Sequence, residues 1–303
     1  MKAQTKRIVS IGECMVEMAP NGAPGSFGAS FAGDTFNTAW YLAQLRPDWT
    51  VDYVTCIGTD TISDQMCAFM ENSGVGTDHI GRLVDHTVGL YMVHLDQGER
   101  SFGYWRGQSA ARQLMQQDGL VALAVTGADV IYVSGISIAI LDEVGRTALR
   151  DTLMVARTNG AKIAFDPNLR PRLWVNTAAM CAAVMEFAAI SDIVFPSHDE
   201  EAIYFGDANI AATKARYQNA GCTTIIVKNG GGEITFHADG HAGVFTPEMA
   251  KTVRDTTAAG DSFNAGFLAS DGDAAKRIAA GCALAGRVIQ GAGALVTGAA
   301  HAI

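Results

Sequence analysis

The sequence predicts an α/β fold: a mainly parallel central sheet with helices on both faces, and a second, small antiparallel sheet projecting from it. Three observations point there. Short apolar runs the length of buried strands recur along the chain. Most are preceded by ten or more residues of helical pattern. Two segments break this alternation and read as strands joined by polar turns.

In chain order the strand candidates are Arg7–Ile11, 51–57, 130–133, 162–165, 193–195 and 224–228. The helical stretches cover 35–45, 141–159, Thr177–Ala189 and 209–220. Gly74, Gly160 and Gly221 each follow a helical pattern, where a left-handed residue ends a helix without a Cβ clash. The interrupting segments are 14–32 and 88–104; the second reads as a hairpin turning at Asp96-Gln97-Gly98-Glu99. Inserted strands of this kind serve as a lid or an oligomer contact. Length alone fits two domains or one large α/β domain with an insertion. The layout favours one domain over residues 1–303, with a β lid from about 13–32 and 88–107.

The 303 residues are 49% hydrophobic and 17% charged, enough apolar content for a sizeable core and unlike a disordered chain. Acids outnumber bases 31 to 22, for a net charge of −9, and no basic run exceeds Lys6-Arg7 or Lys276-Arg277. Duplex nucleic acid and anionic membranes are therefore poor partners; a small anion, held by one or two arginines, is not excluded. The six cysteines show no CxxC spacing and read as buried thiols of a reducing compartment. The apolar start at 8–12 is too short for a signal peptide, and Arg287 and Gln290 interrupt the Ala/Gly-rich stretch 278–296. A soluble, cytoplasmic protein is expected.

The strongest chemical signal is Asp255-Thr256-Thr257-Ala258-Ala259-Gly260-Asp261-Ser262-Phe263-Asn264-Ala265-Gly266-Phe267. Small residues lead into a helix starting near Asp261. Free N–H groups at such a start, with the helix dipole, attract an anion, and small side chains let phosphate oxygens reach the backbone. Asp261 in that first turn is placed to take a proton from a hydroxyl attacking a phosphoryl group, or is simply a favourable first-turn acid.

This segment resembles the C-terminal signature of the ribokinase-like (PfkB) sugar kinases. Gly33-Asp34-Thr35-Phe36-Asn37-Thr38-Ala39 resembles their N-terminal, glycine- and asparagine-containing signature. The likeness covers essentially the whole chain, and within the family it is greatest to 2-keto-3-deoxygluconate kinases. Ile11-Gly12-Glu13-Cys14-Met15-Val16-Glu17 looks like their opening strand. Tyr104-Trp105-Arg106 looks like their sugar-acid-binding Tyr-x-Arg, and Asp166-Pro167-Asn168-Leu169-Arg170 like the segment with a second arginine. The chemistry agrees, since an arginine fork suits a carboxylate.

The resemblance implies a ribokinase-like three-layer fold and a set of roles. Gly33, Asp34 and Asn37 would hold sugar hydroxyls, with Tyr91 reaching in from the lid and Tyr104, Arg106 and Arg170 around the acid. Asp261 would be the base, and Ala258, Ala259 and Gly260 would stabilise the transferring phosphoryl through their N–H groups. Asn168, Ser197, Lys228 and Gly230 would lie along ATP; Glu200 would organise Mg²⁺ through water; Asp255 would belong to a loop binding a monovalent cation such as K⁺. A homo-oligomer formed through the lid is also implied.

The chain departs from the family at three points. Ser197-His198-Asp199-Glu200 has serine where the family has asparagine. Glu233 stands at the last glycine of the nucleotide loop Val227-Lys228-Asn229-Gly230-Gly231-Gly232-Glu233. Ala258 replaces a common glycine but keeps its N–H. No Walker-type GxxxxGK[ST] occurs, Gly291-Ala292-Gly293 is a lone GxG, and glycines at 240 and 243 argue against a helix that would pair His237 with His241 on zinc. The expected function is ATP-dependent phosphorylation of the 6-hydroxyl of 2-keto-3-deoxygluconate. The alternatives are a family kinase for a neutral sugar or nucleoside (fructose, ribose, adenosine), a non-catalytic sensor, and a scaffold assembled through the lid.

Overall fold

The structure is a computed structural model and describes residues 5–23, 25–96 and 99–300. β1 (Arg7–Ile11) opens the main sheet, and the chain leaves at once for β2 (Met15–Pro20) and β3 (Phe27–Ala32). It returns through α1 (Asp34–Leu45), β4 (Thr50–Gly58), α2 (Thr61–Asn72) and β5 (Ile80–Leu83). A second excursion forms β6 (Gly89–Asp96) and β7 (Glu99–Trp105). Then follow α3 (Leu120–Val125), β8 (Val130–Ser134), α4 (Gly135–Ala139), α5 (Glu143–Thr158), β9 (Lys162–Asp166) and α6 (Thr177–Ala189). The chain ends with β10 (Ile193–Val194), α7 (His198–Phe205), α8 (Ile210–Asn219), β11 (Thr224–Val227), β12 (Ile234–Ala238), β13 (His241–Phe245), α9 (Ala259–Ala269) and α10 (Ala274–Val288).

The main sheet has nine strands in the order β13-β12-β11-β10-β9-β8-β1-β4-β5. It is parallel from β11 to β5, with β12 and β13 added antiparallel at one edge. Alternate residues of one strand feed two cores. Ile8 of β1 packs with α1, α2, α9 and α10, whereas Val9 and Ile11 pack with α3, α5 and α6. Burial on both faces explains why these strands read as unbroken apolar runs. The six strand candidates all lie in this sheet. The alternation missed β5 and the β12–β13 hairpin, short strands at the two ends of the sheet, where β5 and β13 are part-exposed instead of buried on both faces. That hairpin, not a helix, carries His237 and His241.

Helix ends follow local chemistry. Asp142, Asn176 and Asp273 accept hydrogen bonds from the N–H three residues on, at the starts of α5, α6 and α10. Gly160 and Gly221 close α5 and α8 at φ 104° and 97°, a region costly for any side chain. Gly266 and Gly281 bring α9 and α10 together so closely that a Cβ on either would lie 2.8 Å from the other helix's backbone. Among the described residues no helix is long and apolar enough to cross a membrane.

The second sheet has the order β3-β2-β6-β7. Its two hairpins are antiparallel, and its central pair, β2 with β6, is parallel. The reason is topological: each excursion leaves the body on its first strand, and the two outgoing strands pair. Gln97 and Gly98, at the expected hairpin turn, lie outside the described residues.

Candidate active site

Parallel open sheets bind ligands at the carboxyl ends of their strands, where the strand order reverses. Here the reversal is at β1, which has β4 on one side and β8 on the other. Glycines let four segments converge on that edge. A Cβ on Gly12 would lie 2.2 Å from the Thr35 hydroxyl, and one on Gly33 2.1 Å from the Glu13 carbonyl. One on Gly135 would lie 1.7 Å from the Pro167 carbonyl.

The segment expected to bind phosphate enters α9 two residues earlier than the sequence suggested. Ala258 takes a left-handed conformation at φ 59°, so the helix begins at Ala259 and Gly260 and Asp261 share its first turn. The first N–H groups of a helix have no intrahelical acceptor; here that of Ala259 turns to the Thr256 carbonyl at 3.1 Å, and the turn's remaining N–H groups can meet an anion. Asp261 is held at this start: Asn37 of α1 donates to its carboxylate at 2.8 Å, and Thr38 donates to its carbonyl at 3.1 Å. Burial first, then the neighbouring Asp34 carboxylate, push the Asp261 carboxyl up to about 8; the Asn37 hydrogen bond opposes this, Asp166 adds to it, and Lys228 opposes it.

Beside Asp261 lies a second polar cluster. The Lys228 ammonium, from the end of β11, is 3.0 Å from Asp166 at the end of β9. A Cβ on Gly260 would stand 3.4 Å from that ammonium, so the lysine sits under the start of α9. Asn264, one turn after Asp261, donates to Asp166 at 2.6 Å and to Tyr132 at 2.9 Å. Asn168, at φ 37°, donates to Asp34 at 2.7 Å. Lys228 thus stands by Asp166 and Asp261, while Asp34 neighbours Asp261 and Arg170. Among the described residues no three acidic, histidine or cysteine side chains converge to cage a metal. A surplus of carboxylate without a closed cage suits magnesium, which keeps waters and is shared with substrate phosphates.

The second sheet, the expected lid, packs beside this cluster, with Met15, Ala32 and Tyr91 against Ala258. Tyr91 of β6 donates to Glu17 of β2, and both are buried. Burial, then the Glu17 charge, push the Tyr91 hydroxyl pKa up, so it stays protonated. Tyr91 lies 5.8 Å from Tyr104, whose ring is 6.0 Å from the Arg106 guanidinium. Arg106, 8% exposed, is ion-paired with Glu13, 1% exposed.

The structure therefore gathers Gly33, Asp34, Asn37, Asn168, Lys228 and Asp261 around one floor. Arg170 pairs with Glu200 at 2.7 Å, and Glu200 also accepts from the Leu169 N–H at 3.0 Å, so two residues expected in different roles hold each other. Ser197 bridges Lys228 where β10 and β11 end. Gly230 turns the following loop at φ 53°, and Glu233 there is exposed. Asp255 accepts from the N–H groups of Thr257 at 3.0 Å and Gly293 at 2.6 Å, tying the anion loop to the segment after α10. Sequence reasoning gave no role to Asp166, Asn264, Glu13 or Glu17. Asn264 had a signal, since it lies three residues after Asp261 and so on the same helix face.

The pfkB family of carbohydrate kinases matches residues 5–298. A 2-dehydro-3-deoxygluconokinase of Dickeya dadantii is 40% identical over 96% of this chain and 97% of that relative. One of Escherichia coli K12 is 38% identical over the same shares. A solved PfkB protein from Polaromonas sp. JS666 superposes with a TM-score of 0.83 at 24% identity, covering 95% of this chain and 96% of that one, a likeness of fold.

Proposed function

The chain belongs to the pfkB family of carbohydrate kinases and is a sugar kinase, and from that premise we propose that it phosphorylates the 6-hydroxyl of 2-keto-3-deoxygluconate (2-dehydro-3-deoxygluconate) with Mg-ATP. The observation that carries this reading is Asp261, fixed by Asn37 in the first turn of α9, beside the Lys228–Asp166 pair and facing a lid that contains a buried arginine.

Asp261 accepts the proton of the sugar's terminal hydroxyl as that oxygen attacks the γ-phosphoryl group. A raised pKa brings this base close to neutral pH, where a general base balances availability against strength. The N–H groups of Ala258 and Gly260 at the start of α9 take up charge on the transferring phosphoryl, with Lys228 beneath them, and that of Ala259 joins them on leaving the Thr256 carbonyl. Magnesium, when bound, neutralises phosphate charge; Glu200, through water, and the surplus carboxylates of the floor are the groups suited to it. Gly33, Asp34 and Asn37 hold the sugar hydroxyls. Tyr91 and Tyr104 cover the sugar, while Arg106 and Arg170 attract its carboxylate. Asn168, Ser197 and Gly230 border the nucleotide, and the Asp255 loop takes a monovalent cation. The lid excludes water, which limits ATP hydrolysis. Its exposed Trp105 supports pairing with a second copy. Six free cysteines support a reducing, cytoplasmic setting.

A coupled assay of ADP release tests this, comparing 2-keto-3-deoxygluconate with fructose, ribose and adenosine. Turnover on the acid alone is expected. Turnover only on a neutral substrate would keep the kinase and overturn the acid-reading role of the arginines. No ADP from any of the four would favour the sensor.

A further inference from the structure

The chain crosses between the main sheet and the lid four times, and the crossings meet at one ion pair. Glu13 is in the first crossing, between β1 and β2; Arg106 is in the last, immediately after β7. Gly33, which returns the chain from β3 to α1, packs against the Glu13 carbonyl. Gly89, which opens β6, packs against both partners: a Cβ there would lie 2.7 Å from Glu13 Oε1 and 3.2 Å from Arg106 Cβ. The pair is also half satisfied. Arg106 Nη2 donates to Glu13 Oε2, whereas Arg106 Nε and Glu13 Oε1 are buried and make no hydrogen bond among the described residues. A guanidinium has five donors in a fixed fork, and one carboxylate engaged through one oxygen leaves room for a second acceptor.

From this juxtaposition we propose that Glu13 is the positioning residue for Arg106: it fixes the guanidinium at the junction of lid and body so that the open donors meet the carboxylate of a sugar acid. Glu13 then sets the preference for acids over neutral sugars without touching the reacting atoms. The inference rests on the sugar-acid reading above. It also explains why an acid is buried on the wall that receives an anionic substrate, where its charge alone would be unfavourable: its hydrogen bond aims the arginine.

The test uses Glu13→Asp and Glu13→Gln in the full chain, because both keep an acceptor for the buried arginine where alanine would strand it. Aspartate keeps the charge but draws the guanidinium back by one methylene. Glutamine keeps the reach and the accepting oxygen. Glu13→Asp is expected to raise KM for 2-keto-3-deoxygluconate by about tenfold or more, with kcat and KM for ATP within about twofold. Glu13→Gln is expected to stay within about threefold of the parent in all three constants. An unchanged KM for the acid in Glu13→Asp would overturn the proposal. So would a parallel loss in kcat and in KM for ATP, or a Glu13→Gln as impaired as Glu13→Asp. Arg106→Ala, assayed alongside, separates the two levels. If it raises KM for the acid while the Glu13 variants do not, only the role of Glu13 falls. If it leaves KM for the acid unchanged, the sugar-acid reading falls and the proposal with it.

Discussion

The two walls of the cleft handle charge in opposite ways. On the body side, Asp34, Asp166 and Asp261 lie close together with Lys228 against Asp166, and Asp261 is left with a raised pKa. On the lid side Glu13 holds Arg106, and Glu17 accepts from Tyr91 and Ser30. Surplus negative charge draws in cations and keeps a base reactive. Partnered acids fix side chains without leaving a strong field. Under the proposed function the body wall carries the chemistry and the lid wall the selection, and substitutions in the two should fail differently.

Asp261→Asn should give the largest effect, a fall in kcat of roughly 10²–10⁴-fold with little change in either KM, read from steady-state kinetics. The same variant should melt at a higher temperature than the parent at pH 8. The folded-state pKa of Asp261 lies above its unfolded value, so its contribution to stability is complete below about pH 4 and is lost as pH rises towards 8. Asparagine removes that loss. On the lid, Arg106→Ala should lower kcat/KM for the acid by on the order of 10²-fold, through KM, the scale of a lost charge-assisted hydrogen bond, and should leave ATP binding intact by calorimetry. Equal losses for ATP and acid would break the contrast between the walls.

Gly135→Ala tests the floor by geometry alone. The added methyl meets the Pro167 carbonyl and must push the Asp166–Arg170 segment outward, so a loss of about 1–3 kcal/mol is expected in denaturant melts. Asp34→Asn should sharpen the account of the base. Removing the like charge lowers the Asp261 pKa, so the acid limb of the pH profile of kcat/KM should move to lower pH. An unmoved limb would show that burial and Asp166, without Asp34, raise it. The smallest effect belongs to Glu233→Gly: the side chain is exposed, and KM for ATP should change by less than about twofold.

Much of the body wall was legible because its pieces are local. The strands ending at Ile11, Asp166 and Val227 announce themselves as apolar runs, and the residues just beyond them reach the sheet's carboxyl edge by construction. The start of α9 was misplaced by two residues because Ala258 adopts a left-handed conformation that alanine seldom takes. The pairings were not legible. Asn264 meets Asp166 across 98 residues of sequence and Arg106 meets Glu13 across 93, and no periodicity reports on contacts of that range. Arg170 and Glu200 were both noticed, but only the fold shows that they bind each other.

The place of β1 in the sheet has a consequence for how the protein is made. β1 precedes both of its neighbours in the chain and is an interior strand: Ile8 pairs with Val51 on one side and with Val130 on the other. At roughly 5–20 residues per second, its second neighbour emerges on the order of ten seconds after it. During that interval an apolar strand edge stands open to other nascent chains. Slower initiation or a lower growth temperature, rather than a more stable sequence, should therefore raise the soluble yield of this protein.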